Sequence, residues 1–515
     1  MAKVVVSCGS QRAALAGVHI GELGGNAVDA ALASALVAMA TTPGMVGLDA
    51  AGFVTVWPSQ EGPRVIDGYT VMPGKGLPTT AFGSGGIDIE MDYGGYTRTI
   101  VGFGSVGVSG GIAAFDNAHR RWGAVPWAVL FEPAIDHVRR GFELPSSSAD
   151  YLRSSHDVVF GWLDHSRSFL NHEDGTPLQA GDIVRMPDLV GSLQVLAEQG
   201  AATLYGGDLG RTLSAGVRNG GGIVTIADLA SYEVVDRAPT RATVSGWHVA
   251  TNPPPAVGGS VLAALLLLAE VEPGERSRDD RVARWVDAQN RVLAFRNAEL
   301  DRADDREAAI RTMLEAASVK NLGVLTGPPS TVHVSAVDDT GAACSITVSS
   351  GYGSGAMVEG TGIWLNNALG ELELTGGSFH GLVPGERLMS NMSPTIARHP
   401  SGEVLAVGSG GADRITTAIG SVLYGYFNLG LELEAAVLAP RSHVENYRGE
   451  RVVSHETGFP LPSTTVPALG RRDLGFQQMF FGGVHVAARS PDGTLFGVGD
   501  PRRSGSTAIG GDGAK

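Results

Sequence analysis

The chain has 515 residues, enough for two domains or one large layered α/β unit. Its 38 basic and 53 acidic residues leave a net charge of −15, which repels nucleic-acid backbones and anionic membranes. A hydrophobic share of 43% excludes a disordered chain, and two cysteines, Cys8 and Cys344, exclude a disulfide scaffold or a thiolate zinc centre.

In chain order, the apolar run Val4–Val6 is too short for a signal peptide. Asn26 is a good N-cap for a nearly all-apolar buried helix predicted over residues 27–40. A strand is predicted over 52–57, ending at Pro58, and another over 97–101 leads into the glycine-rich segment 102–111. Helical spacing returns over 127–138, with Gly141 as the stop signal. Thr225-Ile226-Ala227-Asp228 has the pattern of a capping box. Pro253-Pro254-Pro255 and Gly258-Gly259 precede an apolar helix predicted over 261–270, and residues 276–317 read as solvated amphipathic helices. Beyond Gly327-Pro328-Pro329 the texture changes to short β-rich runs at 331–337, 342–349 and 404–408, so the best boundary lies near residue 328. Residues 504–515 read as a loose tail. No apolar stretch is long enough to span a bilayer, and a soluble, cytoplasmic protein is expected, without nucleic-acid or membrane partners.

Three segments carry candidate chemistry. Gly102-Phe103-Gly104-Ser105-Val106-Gly107 matches the dinucleotide fingerprint GxGxxG, but Ser109-Gly110-Gly111 is a poor start for the helix that should follow. Gly107-Val108-Ser109-Gly110-Gly111 matches GxSxG, the nucleophile elbow of α/β-hydrolases, against a plain glycine-rich turn as the alternative. The third is Ser330-Thr331-Val332-His333. Cutting the chain before Thr331 would give its hydroxyl an α-amine as a built-in base, whose free form is well populated near neutral pH because such amines titrate near 7.7–8.0. A threonine at a strand start is otherwise structural. The histidines offer no metal-ligand spacing, His172-Glu173-Asp174-Gly175 reads as an exposed turn, and no metal or cofactor is expected.

In order along the chain stand Gly24-Gly25-Asn26-Ala27-Val28-Asp29-Ala30-Ala31, Gly221-Gly222-Ile223, Asp228-Leu229-Ala230-Ser231-Tyr232 and Pro253-Pro254-Pro255. They are followed by Thr331–Asp338, Leu365-Asn366-Asn367, Met392-Ser393-Pro394-Thr395-Ile396, Gly408-Ser409-Gly410-Gly411 with Arg414, and Asp500-Pro501-Arg502. This series resembles the γ-glutamyltransferase (γ-glutamyltranspeptidase) family of N-terminal-nucleophile hydrolases over nearly the whole length. The resemblance implies a four-layer αββα sandwich made as a proenzyme. Cleavage between Ser330 and Thr331 would give a large subunit, 1–330, and a small subunit, 331–515. Thr331 would be the nucleophile, Ser349 a second hydroxyl orienting it, and the N–H groups of Gly411 and Ala412 the oxyanion hole.

The recognition residues depart from the family pattern. Tyr69 stands where the family has the arginine that grips the donor's α-carboxylate, and a phenol cannot supply a charged, bidentate grip. Ala368 and Glu371 replace a Gln and an Asp that hold the α-amino group, and Ser390-Asn391 replaces a serine pair. Tyr69, Asn367, Glu371, Ser390 and Asn391 are therefore the expected contacts of a small-molecule donor other than glutathione. Two reactions fit the fold: amide hydrolysis or acyl transfer from a different acyl donor, and carbon–carbon bond hydrolysis releasing an oxalyl-type fragment in alkylproline natural-product biosynthesis. From other classes come a Ser109 hydrolase and an inactive binding homologue.

Overall fold

The computed structural model describes residues 3–510 apart from 93–95, 272–276, 301–302, 304, 319, 321–330, 413 and 463–468. Thirteen strands build two antiparallel sheets. In chain order they are β1 (Val4–Cys8), β2 (Ala51–Trp57), β3 (Arg64–Gly68), β4 (Val235–Arg237), β5 (Thr240–Val244), β6 (Trp247–Thr251) and β7 (Val332–Asp338). Then follow β8 (Ala343–Ser349), β9 (Thr395–Arg398), β10 (Val404–Gly410), β11 (Gly483–Arg489), β12 (Leu495–Val498) and β13 (Ser506–Ile509). One sheet has the order β13-β1-β7-β8-β2-β3-β4, the other β12-β11-β10-β9-β6-β5. They pack face to face through Val5, Val337, Ala343, Ile396, Ala406 and Ala487. Both faces of these strands are covered, which is why they read as continuous apolar runs rather than as alternation.

Helices close the outer faces and complete an αββα sandwich. The helices α1 (Gln11–Glu22) and α2 (Ala27–Thr41) lie on the first sheet, joined by α3 (Gly111–Trp122) and α4 (Glu132–Arg140). On the second lie α5 (Gly258–Ala269), flanked by α6 (Arg278–Phe295) and α7 (Arg306–Ser318), and α8 (Arg414–Phe427). All fifteen residues of α2 are buried, as expected for a helix apolar all round. Asn26 caps it by accepting from Val28 N and Asp29 N, while Asp29 accepts from Asn26 N at 3.0 Å. The Thr225–Asp228 capping box also forms. Among the described residues no helix is long and apolar enough to cross a membrane.

Four expectations change. Residues 127–138 form a 3₁₀ turn (Trp127–Phe131) followed by α4, because Pro133 has no N–H and fits only a first helical turn. The helix α3 does start at Gly111, whose N–H bonds Ala50 O at 3.0 Å. The charged helices α6 and α7 are amphipathic but not merely solvated, since Trp285, Val292, Ile310 and Met313 are buried beside α5. The tail is ordered through Ile509: Ser504 turns at φ +52°, and β13 returns to pair with β1, Ile509 opposite Val5. Its polar, glycine-flanked sequence hides a strand held by backbone hydrogen bonds.

The change of texture near residue 328 is not a boundary between packing units. The strand β7 lies between β1 and β8, and β8 pairs with β2, so residues from both sides of position 330 alternate across the first sheet. In the second, β6 pairs with β9. The C-terminal turn is fastened by a buried charge network. Arg441 Nη2 meets Asp500 Oδ2 at 2.5 Å, Arg502 Nη2 meets Glu456 Oε2 at 2.5 Å, and Arg502 Nη1 meets Asp500 Oδ1 at 3.2 Å. Burial alone would raise the Asp500 carboxyl, but Arg441 and Arg502 outweigh it and hold it below the ordinary carboxylate range.

Candidate active site

Thr331 precedes β7 by one residue and is only 4% exposed. The β7–β8 register pairs Val332 with Val348, so the next pair outward sets Thr331 opposite Ser349. The Ser349 hydroxyl accepts from Gly351 N at 2.9 Å. On the facing sheet, Gly410 ends β10 so close to Thr331 that a Cβ there would lie 1.8 Å from the Thr331 carbonyl oxygen. The chain then runs through Gly411 at φ +128° and Ala412 at φ +71°, immediately before α8. Ala412 is in a left-handed conformation that costs an L-residue about 1–2 kcal/mol, strain of the kind kept at functional sites. The positive end of α8 favours negative charge at this loop. The structure thus brings Thr331, Ser349, Gly411 and Ala412 to one place; Ser330, the other side of the expected cleavage point, lies outside the described residues.

A small cavity of about 30 Å³ touches Thr331, Gly410, Ser10, Thr42, His485 and Arg503, room for a water or two. A cleft of about 1060 Å³ between α1 and α4 is not lined by Thr331 and meets this cavity only at Gly9 and Ser10. Beside Thr331 runs a buried chain of polar groups that the sequence did not reveal. Ser335 Oγ donates to His485 O at 3.1 Å and so accepts from His333 Nε2 at 2.8 Å, leaving His333 Nδ1 to accept from Thr347 Oγ1 at 2.8 Å. Burial holds the His333 imidazole well below its ordinary range. It also pushes His485 down to about 4, with Asp500 opposing and Arg503 and Arg441 adding to the shift.

The pH consequence of His485 has a definite sign. An unfolded histidine takes up its proton near 6.5, whereas folded His485 does so only near 4. The fold therefore keeps its full stability above pH 6.5 and loses it progressively as pH falls from 6.5 towards 4, by up to roughly 3 kcal/mol. Urea midpoints measured between pH 7 and 5 should fall with pH, and His485→Asn should flatten that slope.

The other expected contacts form a second group. Glu371 is 3% exposed and lies beside Gly351, where a Cβ would sit 2.7 Å from Glu371 Oε1 and 2.2 Å from Asn367 Oδ1. Gly351 is a site residue the sequence reading missed, and its signal is the run Ser349-Ser350-Gly351-Tyr352-Gly353. Tyr69 is buried, stacked on Phe53 at 5.4 Å and hydrogen-bonded to Ser390. Burial, then Glu371, raise its phenol well above the ordinary range. Asn391 receives a hydrogen bond from the buried Arg296 at 2.6 Å. Asn367 is spent on the fold: its Oδ1 accepts from Tyr352 N at 2.7 Å, and its Nδ2 donates to Thr99 Oγ1 and Ile100 O, both at 3.1 Å.

The guanidiniums beneath Tyr69 are occupied as well. Arg387 bonds Asp67 Oδ1 at 2.8 Å, Tyr69 O at 2.9 Å and Glu233 O at 2.7 Å, and Arg237 bonds Asp67 Oδ2 at 2.7 Å.

The rival motifs have structural duties. The three glycine amides of the GxGxxG loop are committed within the protein, Gly102 N to Ser354 O, Gly104 N to Gly85 O and Gly107 N to Asn366 Oδ1, so none of the three is left to cradle a phosphate. Ser109 Oγ donates to Asp49 Oδ1 at 2.5 Å, a carboxylate where an elbow nucleophile needs an imidazole. Asp49 is pushed up to about 6 by burial, against its bonds from Ser109 and Asn366. His172 to Gly175 form an exposed turn, and among the described residues no group of three or more His, Cys, Asp and Glu is placed to hold a metal.

Known proteins match along the whole chain. A family model described as gamma-glutamyltranspeptidase covers residues 13–510. Glutathione hydrolase proenzyme of Pseudomonas aeruginosa is 29% identical over 452 residues, 82% of this chain and 79% of that protein. Acylase ACY 1 proenzyme of Pseudomonas sp. (strain SE83) is 29% identical over 521 residues, 96% of this chain and 91% of that one. The cephalosporin acylase structure from Bacillus halodurans superposes with a TM-score of 0.78 at 23% identity, covering 100% of this chain and 96% of that one, which is a likeness of fold.

Proposed function

Since the chain belongs to the gamma-glutamyltranspeptidase family of enzymes, we propose that it is made as one precursor, cuts itself before Thr331, and uses Thr331 to hydrolyse an acyl donor other than glutathione. The observation that carries this reading is the convergence of Thr331, Ser349 and the Gly410–Ala412 turn at the rim of both sheets. In the precursor, Thr331 Oγ attacks the Ser330 carbonyl, its proton leaves, and the amide becomes an ester that water opens. This releases residues 1–330 with a C-terminal carboxylate and residues 331–515 with a free α-amine. In the mature enzyme that amine takes the Thr331 hydroxyl proton as the oxygen attacks the donor carbonyl. The Gly411 and Ala412 amides stabilise the resulting oxyanion, a donor typically being worth about 3–4 kcal/mol. The leaving group takes the proton, and water then hydrolyses the acyl-enzyme.

The donor reading rests on Tyr69 and its surroundings. A donor α-carboxylate arriving there meets a neutral phenol, while Arg237 and Arg387 are already paired with Asp67. Burying a carboxylate without a cationic partner costs several kcal/mol. Donor hydrolysis measured with a panel of acyl anilides should therefore give γ-glutamyl anilide a kcat/KM at least about 100-fold below the best acyl group. If γ-glutamyl anilide heads the panel, this reading of the subsite is wrong.

A further inference from the structure

We propose that the cleft between α1 and α4 binds a short peptide with free ends, its carboxylate on Arg12 and His137 and its ammonium at an acidic rim. The inference goes beyond the Thr331 reading, because neither Thr331 nor any expected donor contact lines this cleft. Its volume of about 1060 Å³ is at the upper end for small-ligand sites and leaves room for more than a single amino acid. Arg12, on α1, and His137, on α4, are both half-buried in its wall. The Arg12 guanidinium lies over the ring of the buried Phe142, its Cζ 5.7 Å from the ring centroid. Neither the guanidinium nor the imidazole has a hydrogen bond or ion pair among the described residues. Two half-buried groups that donate hydrogen bonds and share positive charge therefore face one cleft without an acceptor.

The surrounding charges decide the ligand. Burial, then Arg12, hold the His137 imidazole below its ordinary range; Asp136 opposes that shift and Arg140 adds to it. Asp136 is itself paired with Arg140 at 2.8 Å. Burial also lowers Arg12, while Glu143 favours its charge. A carboxylate seated on Arg12 gives the planar guanidinium two oxygens to grip, and its negative charge relieves the repulsion between Arg12 and a protonated His137. The rim has the other sign. Glu132 and Glu143 line the cleft as exposed side chains, neither in an ion pair among the described residues. With Asp136 they attract an ammonium and repel a multiply charged anion. His19, the remaining titratable group of the wall, stands 3.8 Å from Glu22. Cationic within and anionic outside, the cleft selects a dipolar ligand over inorganic phosphate.

The test is calorimetric titration of the purified protein with L-alanyl-L-alanine, its C-terminal amide, its N-acetyl derivative and inorganic phosphate. The free dipeptide should bind about 10–100-fold tighter than the amide, which lacks the carboxylate, and tighter than the acetylated form or phosphate. A carboxylate beside His137 favours the protonated imidazole, so binding near pH 7 should take up protons. Repeating the titration in buffers of different ionisation heat reads that uptake. Arg12→Gln should remove the preference for a free carboxylate, and His137→Asn should remove the proton uptake. Equal binding of the dipeptide and its amide overturns the proposal, as does phosphate binding tightest, no binding by any of the four, or binding without proton uptake. A preference that survives Arg12→Gln also overturns it, since the peptide would then sit elsewhere. If Arg12→Gln does not fold, the wild-type ranking and the effect of His137→Asn decide.

Discussion

Thr331→Ala is expected to leave the purified protein as one uncut chain and to abolish donor hydrolysis. The substitution removes the oxygen that both reactions need, while the buried methyl-sized side chain still fits between Ser349 and Gly410. Losing a covalent nucleophile typically costs about 10⁴–10⁶ in rate, equivalent to roughly 5–8 kcal/mol of barrier at 1.36 kcal/mol per decade. Thr331→Ser keeps the hydroxyl and should still cut, only more slowly. Intact mass under denaturing conditions, with N-terminal sequencing of the shorter fragment, reads both outcomes. A wild type in two pieces, one beginning at Thr331, beside an uncut alanine variant supports the assignment. Cleavage at the same bond in Thr331→Ala would move the nucleophile elsewhere. Ser109→Ala should change neither readout, because its hydroxyl serves Asp49.

Asp500→Ala should produce the largest loss of stability among single substitutions outside the site. Asp500 accepts from Arg441, Arg502 and the Val484 and Arg502 amides, all in the interior. Removing it leaves the buried Arg441 guanidinium without its carboxylate, while Arg502 keeps Glu456, a change that typically costs about 3–5 kcal/mol. At roughly 2 cal/mol/K of unfolding entropy per residue, a chain this long shifts by about 1 °C per kcal/mol, so Tm should fall by about 3–5 °C. Scanning calorimetry at one fixed scan rate measures this for a protein whose unfolding need not reverse. The exposed pair Arg140–Asp136 on α4 is the control, and Asp136→Ala should move Tm by less than 1 °C.

The strongest local signals in the sequence survive intact. A fifteen-residue apolar helix behind an asparagine cap and the Thr225–Asp228 box are decided by neighbours within a turn, and both form as expected. Glycines are more ambiguous. The same pattern that suggested a phosphate loop at 102–107 serves close packing, since a Cβ at Gly104 would lie 2.4 Å from Ser84 O and one at Gly107 would lie 2.3 Å from Thr70 Cγ2. The tail was misread because β13 draws its order from β1, some 500 positions away. Separations of 59 positions between Arg441 and Asp500 and 150 between Ser335 and His485 likewise hid the Arg441–Glu456–Asp500–Arg502 network and the His333–Ser335–His485 chain, whose members carry no local mark of their partners. In the candidate site, the positions of Thr331 and Glu371 were reachable through the family pattern. That Asn367 is already fully engaged was not, because its partners Thr99, Ile100 and Tyr352 come from other segments.

The alternation of strands across position 330 has a consequence for heredity as well as for folding. On the proposed cleavage before Thr331, neither piece could leave without unzipping ladders on both of its flanks, so partners from different molecules should never trade places. Two defective alleles, one damaged before residue 330 and one after it, would each keep their own flaw for the life of the protein. Co-expressing them should restore no activity, even though every intact piece needed for one good enzyme is present in the cell.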